Sequence, residues 1–408
     1  MDSLLNNNTK TLSEIDINGY GFRAIDAKTF SRLNQLITLD LSQNSLTTLP
    51  LTAFVDLKNL QNLIITNNRL NTLPSSVFQN LVSLELLYLW GNSFTSFNDV
   101  NLFSTLANLT VLSLAQNSIR TLNPNLFRNL KNIQNIILST NRLSSLNSPI
   151  YFKGLVKLNF VDLSSNLLQY LDVNIFCRLT SLAVLDLSSN RFSSLSPDLF
   201  KGLTSLNTLY LFKNQLSFLN AKLFNDLTSL EWLDLSGNSL KSLDSQLFQT
   251  MPGLTTLHLD SNQISSLNES QFSQLSNLQT LYLSQNNLAI LPDNIFKKLN
   301  QLSILDLSSN QLTSLSDNIF SQLGNLQSLD LSSNSLNSLQ SNVFQNLTQL
   351  ALLELNINKL DSLSIATFRG LVNLHVLKLG KNPISSLNAT YVQSLCALNN
   401  LTCSVDLN

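Results

Sequence analysis

Around Leu305 and Leu307 the chain alternates inward-type apolar positions with polar ones, and the same alternation returns along nearly its whole length. A period of two over a few residues predicts a short strand with one face turned to a core. Each such stretch closes on an asparagine: Asn44, Asn68, Asn92, Asn117, Asn141, Asn166, Asn190, Asn214, Asn238, Asn262, Asn286, Asn310, Asn334, Asn358 and Asn382. The spacing is 24 residues, lengthened to 25 between Asn92 and Asn117 and between Asn141 and Asn166. Written out, the unit is L-x-x-L-x-L-x-x-N-x-L-x-x-L-x-x-x-x-F-x-x-L-x-x, as in Leu302, Leu305, Leu307, Asn310, Leu312, Leu315, Phe320 and Leu323. A weaker unit comes first, with Leu12, Ile15, Ile17, Phe22, Ile25, Phe30 and Leu33 in register and Tyr20 in place of the asparagine. Fifteen units and this one make about sixteen.

One three-residue strand cannot bury its apolar face alone, whereas stacked copies can. Successive strands would pair side by side at roughly 4.8 Å, giving a parallel sheet about 75 Å long. The second half of each unit is then the return path, and it carries a phenylalanine column expected to point inward: Phe54, Phe78, Phe103, Phe127, Phe152, Phe176, Phe200, Phe224, Phe248, Phe272, Phe296, Phe320, Phe344 and Phe368. In the turn after each strand, backbone groups face inward and need partners. An asparagine side chain, with two donors and an acceptor, can satisfy them, so the asparagine column is read as structural and not catalytic.

The L-x-x-L-x-L-x-x-N-x-L core resembles a leucine-rich repeat, and the 24-residue unit with its late phenylalanine resembles the "typical" subclass. That subclass includes Toll-like receptor ectodomains, slit-like and chaoptin-like adhesion proteins and lamprey variable lymphocyte receptors. The resemblance covers about residues 12 to 395. It implies an α/β solenoid, a right-handed horseshoe-shaped superhelix whose concave face is one long parallel sheet. It also implies a non-catalytic recognition, receptor-like or adhesion module, at a cell surface or outside the cell. The expected division is an N-terminal flank (1-11), the solenoid (12-381), and a final repeat with a reduced C-terminal cap (382-408). Family members usually carry cysteine-rich caps, and the N-terminal flank here has no cysteine. Asn382-Pro383 looks like the opening of a C-terminal cap, in which Cys396 and Cys403 would be either a bridge or two thiols on a last amphipathic segment.

Composition narrows the function classes. Charged residues make up only 12% of the chain and the formal net charge is -1, with no lysine or arginine cluster suited to a phosphate backbone, so nucleic acid is not an expected partner. Cys177, Cys396 and Cys403 are too few for a disulfide scaffold or zinc site, and Cys177, beside Phe176, is expected to be a buried, inert thiol. His258 and His375 are too far apart in the repeat for a metal site or triad, no phosphate loop or nucleophile elbow is present, and no cofactor is expected. The opening MDSLLNNNTK lacks the features of a secretory signal and no stretch reaches membrane-spanning length, although a signal or anchor could have been lost from either end. Glycosylation motifs at Asn7, Asn108, Asn268, Asn346, Asn388 and Asn400 are no more than a chain this rich in asparagine, serine and threonine produces by chance.

With positions 4 and 6 of each unit inward, positions 3, 5, 7 and 8 face the concave side without packing duty. The position-5 column includes Asp16, Asp40, Asp162, Asp186, Tyr210, Asp234, His258, Tyr282, Asp306, Asp330, Glu354 and Lys378. Much of the aspartate belongs to the repeated phrase L-D-L-S and reads first as a solvated edge. Neighbouring Asp306, Asp330 and Glu354 would nevertheless repel, and a cationic partner would relieve them. Tyr210, Phe212, Trp232, His258 and Tyr282 place aromatic rings on consecutive strands, with Tyr88, Trp90 and Phe160 earlier in the chain. Rings held on a rigid surface favour binding, although they also stabilise strands by cross-strand contact. His258 lies between Asp234 and Tyr282, within expected hydrogen-bonding reach. The expected ligand is a protein lying across strands seven to twelve, anchored on Tyr210, Phe212 and Trp232 and flanked by Asp186, Asp234 and Asp306. Two other readings use the same sheet: an intracellular signalling scaffold, and a structural, self-associating adhesive array.

Overall fold

The computed structural model describes residues 12-385, together with Thr390, Ser394 and the backbone of Ser404-Asp406. Asn7, Asn388, Cys396, Asn400 and Cys403, and with them the flank and most of the proposed cap, lie outside the described residues. The chain divides into two compact units, one of residues 1-192 with 198-206 and one of residues 193-197 with 207-408. In the first unit eight three-residue strands pair in parallel and in chain order: Glu14–Asp16, Thr38–Asp40, Asn62–Ile64, Leu86–Tyr88, Val111–Ser113, Asn135–Ile137, Phe160–Asp162 and Val184–Asp186. The second unit repeats the arrangement with Thr208–Tyr210, Trp232–Asp234, Thr256–His258, Thr280–Tyr282, Ile304–Asp306, Ser328–Asp330, Leu352–Glu354, Val376–Lys378 and Ser404–Asp406. Each is a leucine-rich-repeat solenoid with a parallel sheet on one side and consecutive turns on the other; the first unit adds two short parallel pairs, Ser96–Phe97 with Thr121–Leu122 and Ser145–Leu146 with Tyr170–Leu171, and the second a short 3-10 helix at Ile365–Phe368.

Alternation produces the strands. In most of them the central residue is a leucine sealed from solvent with two half-buried neighbours, as at Leu305 and Leu329. Fully burying such a side chain contributes roughly 1.5–3 kcal/mol, and the identical register lets every copy use the same pocket. Behind the sheet the phenylalanines stack in runs: Phe30, Phe54, Phe78 and Phe103 with ring centres 6.1 to 6.4 Å apart, and Phe296, Phe320 and Phe344 at 6.2 and 6.1 Å.

The ladder asparagines tie one turn to the previous one. Asn334 Oδ1 accepts the N–H of Leu312 at 3.0 Å, while its Nδ2 donates to the carbonyls of Leu307 (3.0 Å), Leu331 (3.1 Å) and Ser332 (3.2 Å). The L-D-L-S aspartate has its own structural task. Oδ1 of Asp40, Asp162, Asp186, Asp234, Asp306 and Asp330 accepts the N–H of the serine two residues on, at 2.7 to 2.9 Å. This Asx-type bond closes the strand locally and explains why the phrase recurs. A second asparagine column runs along the return segments: Nδ2 of Asn59, Asn108, Asn132, Asn277, Asn325 and Asn373 donates to a carbonyl of the preceding turn.

The residue before each ladder asparagine is left-handed, from Gln43 (φ 54°) to Lys381 (φ 56°). Glycine fills that position at Gly91, where an added Cβ would collide with Asn67 Oδ1. At Ile357 (φ 57°) a β-branched side chain occupies it while standing exposed. Left-handed backbone costs an ordinary L-residue about 1–2 kcal/mol, and asparagine tolerates it best after glycine. Ile357→Asn is therefore expected to stabilise the second unit by about 0.5–1 kcal/mol, read as a higher urea midpoint. An unchanged or lower midpoint would show that the isoleucine is not strained there.

Candidate functional site

The concave face of the second unit gathers most of the rings singled out from the sequence. Register sets Tyr210 opposite Asp234, Asp234 opposite His258, and His258 opposite Tyr282. His258 is stacked on Tyr282, with centres 4.5 Å apart and planes 25° from parallel, and Trp232 reaches across from the preceding strand to lie 5.3 Å from His258. Three rings from three consecutive strands thus form one cluster, His258 stacked on Tyr282 and Trp232 tilted against it. Beside it Tyr210 and Phe212 meet edge to face at 6.1 Å. Trp232 remains 36% exposed, the others half-buried. His258 stacks on Tyr282 because residues at position 5 sit one strand spacing apart, close to the natural separation of stacked aromatic rings, and Trp232 joins them from position 3.

His258 does not bond with Asp234. Its Nδ1 lies 3.4 Å from Asp260 Oδ1, and Asp234 instead spends its Oδ1 on the N–H and hydroxyl of Ser236. Stacking turns the imidazole plane toward its neighbouring rings and its Nδ1 along the strand edge to Asp260, a residue that sequence reasoning did not select. Alternation marks Asp260 as concave position 7, the one signal by which it was accessible.

Beyond Tyr282 the face becomes acidic. Asp306 stands opposite Asp330, and Asp330 opposite Glu354, which is paired with Lys378 at 3.0 Å. Burial first, and the facing carboxylates of Asp306 and Glu354 in addition, push the Asp330 carboxyl above its ordinary value, against bonds from Ser332 that lower it. The folded protein therefore holds the Asp330 proton more tightly than the unfolded chain. Ionisation costs stability as pH rises through the raised value, and the penalty vanishes below the ordinary carboxylate range. Asp330→Asn, which keeps an acceptor for the Ser332 N–H, is expected to raise the melting temperature at pH 7 and to lose that advantage toward pH 3. A gain independent of pH would refute this origin.

Phe160 and Asp186 lie on the concave face of the first unit, as do Tyr88 and Trp90, all half-buried. Asn108, Asn268 and Asn346 are exposed; Nδ2 of Asn108 and of Asn346 donates to a carbonyl of the preceding turn, and Asn268 Oδ1 accepts from Ser270. Cys177 is exposed, not buried as expected: the turn after Phe176 carries it outward beside Arg178. Ile175 and Phe176 fill the inward side of the turn, and the next residue faces away. Among the described residues no group of side chains could hold a metal ion, and no helix is long and apolar enough to cross a membrane.

The leucine-rich repeat family model matches residues 10–70, 88–143, 132–192, 180–240, 236–288, 252–312 and 300–360. The chain belongs to the leucine-rich repeat family. It is similar to a leucine-rich repeat protein of Leptospira interrogans at 29% identity and a TM-score of 0.82, over 98% of this chain and 97% of that one. It is also similar to a chain of the glycosylated Toll–Spatzle complex of Drosophila, at 27% identity and a TM-score of 0.81, over 88% of this chain and 52% of that one. This leucine-rich repeat chain thus spans about half the length of that relative. Likeness to the functional domain of InlJ from Listeria monocytogenes, at 22% identity and a TM-score of 0.61, concerns the fold alone. Comparison with curated protein sequences finds no match. Repeat proteins of this Toll-like kind suggest a protein-binding or recognition role and are typically non-enzymatic.

Proposed function

We propose that this leucine-rich repeat protein is a non-catalytic recognition module that binds a protein partner on the concave face of its second unit. The observation that carries the reading is the run of rings there, in which His258 stacks on Tyr282, Trp232 leans against His258, and Tyr210 and Phe212 pair beside them. Rings already fixed by one another give up little side-chain entropy on binding, and a half-exposed tryptophan amid them is the residue type that dominates binding energies. Asp234 and Asp306 flank the rings as polar rim; Phe160, Asp186, Tyr88 and Trp90 would add contacts only for a ligand that also engages the first unit. The Toll chain it resembles is part of a complex with Spatzle, which supports a protein as the class of ligand. Replacing Tyr210, Phe212 and Trp232 together by alanine is expected to weaken capture of a partner from host extracts by at least about a hundredfold, two such ring contacts being worth ~2 kcal/mol or more each. Undiminished capture by a folded triple variant would remove the site from consideration.

The same resemblance supports a position at the cell surface or outside the cell, with Cys396 and Cys403 bridged. Intact mass of the natural protein, before and after reduction and deglycosylation, tests it. Glycans on Asn268 or Asn346 with a bridge are expected, whereas bare asparagines and free thiols would favour a cytosolic scaffold.

A further inference from the structure

The ring stack of the second unit ends abruptly. In the slot after Tyr282 the register places Asp306, a carboxylate where the two preceding strands supply His258 and Tyr282. Among the described residues His258 is the one ring against Tyr282, and Asp306 stands at the next register position on its other side. Asp306 and Asp330 face each other across adjacent strands, and among the described residues neither is ion-paired; Lys378 is taken up by Glu354. Two neighbouring half-buried carboxylates with no counter-charge are unfavourable in the free protein; Asp330 is pushed upward first by its burial and only in addition by the carboxylates of Asp306 and Glu354. The face is thus incomplete in two respects at one place: the stack lacks its next planar group, and the carboxylates lack a cation.

Resting on the reading that this concave face is the binding surface, we propose that the junction of Tyr282, Asp306 and Asp330 docks an arginine side chain of the protein partner. The guanidinium continues the ring stack on Tyr282 and donates to the two carboxylates. Its dimensions suit the place. A planar group one strand spacing beyond Tyr282, roughly 4.8 Å, lies above Asp306 and beside Asp330. Guanidinium is planar, weakly hydrated, stacks on aromatic faces and presents its N–H groups as a fork to carboxylates, so one group meets both deficits. An ammonium satisfies the charge but cannot extend the stack. Oδ1 of each aspartate is held by its own serine N–H at 2.9 and 2.8 Å, so the carboxylates are positioned before the partner arrives.

The test uses the full chain and three fluorescein-labelled peptides, Gly-Arg-Gly-Arg-Gly and its lysine and citrulline counterparts, titrated by fluorescence anisotropy near physiological salt. The arginine peptide is expected to bind at least fivefold more tightly than the lysine peptide, and the citrulline peptide not to bind. Asp306→Asn with Asp330→Asn is expected to reduce binding of the arginine peptide at least tenfold and to remove its preference over lysine. That variant keeps both serine contacts, so its fold is checked by an unchanged circular dichroism spectrum. Failure of the arginine peptide to bind, equal binding of the citrulline peptide, or unchanged binding by the double variant would overturn the proposal. Should any of these occur while the Tyr210, Phe212 and Trp232 variant still loses its partner, the arginine assignment falls and the concave-face reading stands. Should both fail, the surface itself was wrongly chosen.

Discussion

Asn310→Ala is expected to destabilise the second unit by about 3–5 kcal/mol, a large effect for a single polar substitution. Asn310 is 8% exposed; its Oδ1 holds the Leu288 N–H at 3.0 Å and its Nδ2 holds the carbonyls of Leu283, Leu307 and Ser308 at 2.9, 3.1 and 3.2 Å. Alanine removes the partner and leaves these buried groups behind, at about 1–3 kcal/mol for each that water cannot reach. Asn310→Asp should cost at least as much. It retains an acceptor for Leu288 but turns a negative oxygen toward three carbonyl oxygens. Because long repeat arrays do not always unfold in one step, hydrogen exchange is the clearer readout. Protection should fall at Leu288 and across residues 283-312, with less change around Asn238 and Asn262. A cost below about 1 kcal/mol would mean that the turn satisfies its own backbone and that the asparagine column is decorative.

Much of this was legible in the residues, because a repeat announces its own register. Once Asn286, Asn310 and Asn334 are aligned, pairing follows by counting, and the strand-to-strand partners Leu281, Leu305 and Leu329 are those observed. Counting also brings His258 and Tyr282 onto neighbouring strands. It cannot say which way a side chain leans: Trp232 sits at position 3, two residues from the register partner of His258, yet crosses to stack on it. Nor does periodicity reveal bonds within one strand, so the aspartates looked like a solvated edge when each in fact closes its own turn on the following serine. The return segment is least legible. With neither a two-residue nor a helical period, nothing in its sequence showed that Cys177 would point outward while Phe176 points in, or that Asn59, Asn108 and Asn132 form a second column. Left-handed backbone before each ladder asparagine is likewise hidden, since residues as different as Lys213, Ser261 and Ile357 occupy it.

Phe54→Ala should cost about 3–5 kcal/mol and Phe30→Ala appreciably less, although both remove the same ring from sites at most 2% exposed. The difference lies in neighbours. Phe54 is stacked between Phe30 at 6.3 Å and Phe78 at 6.4 Å, so its loss opens a cavity that two rings line and neither can fill. Phe30 belongs to the first repeat, and among the described residues its ring contact is Phe54 alone. A repeat solenoid gains stability from contacts between adjacent turns, and a turn with one ring neighbour has less to lose. Phe54→Leu, which preserves most of the apolar volume, should fall between no change and Phe54→Ala, at about 1–2 kcal/mol. Urea unfolding followed by circular dichroism would rank the three. Equal costs at Phe30 and Phe54 would mean that each ring is held by its own turn, and the phenylalanine column would then be fifteen separate plugs instead of a spine shared between turns.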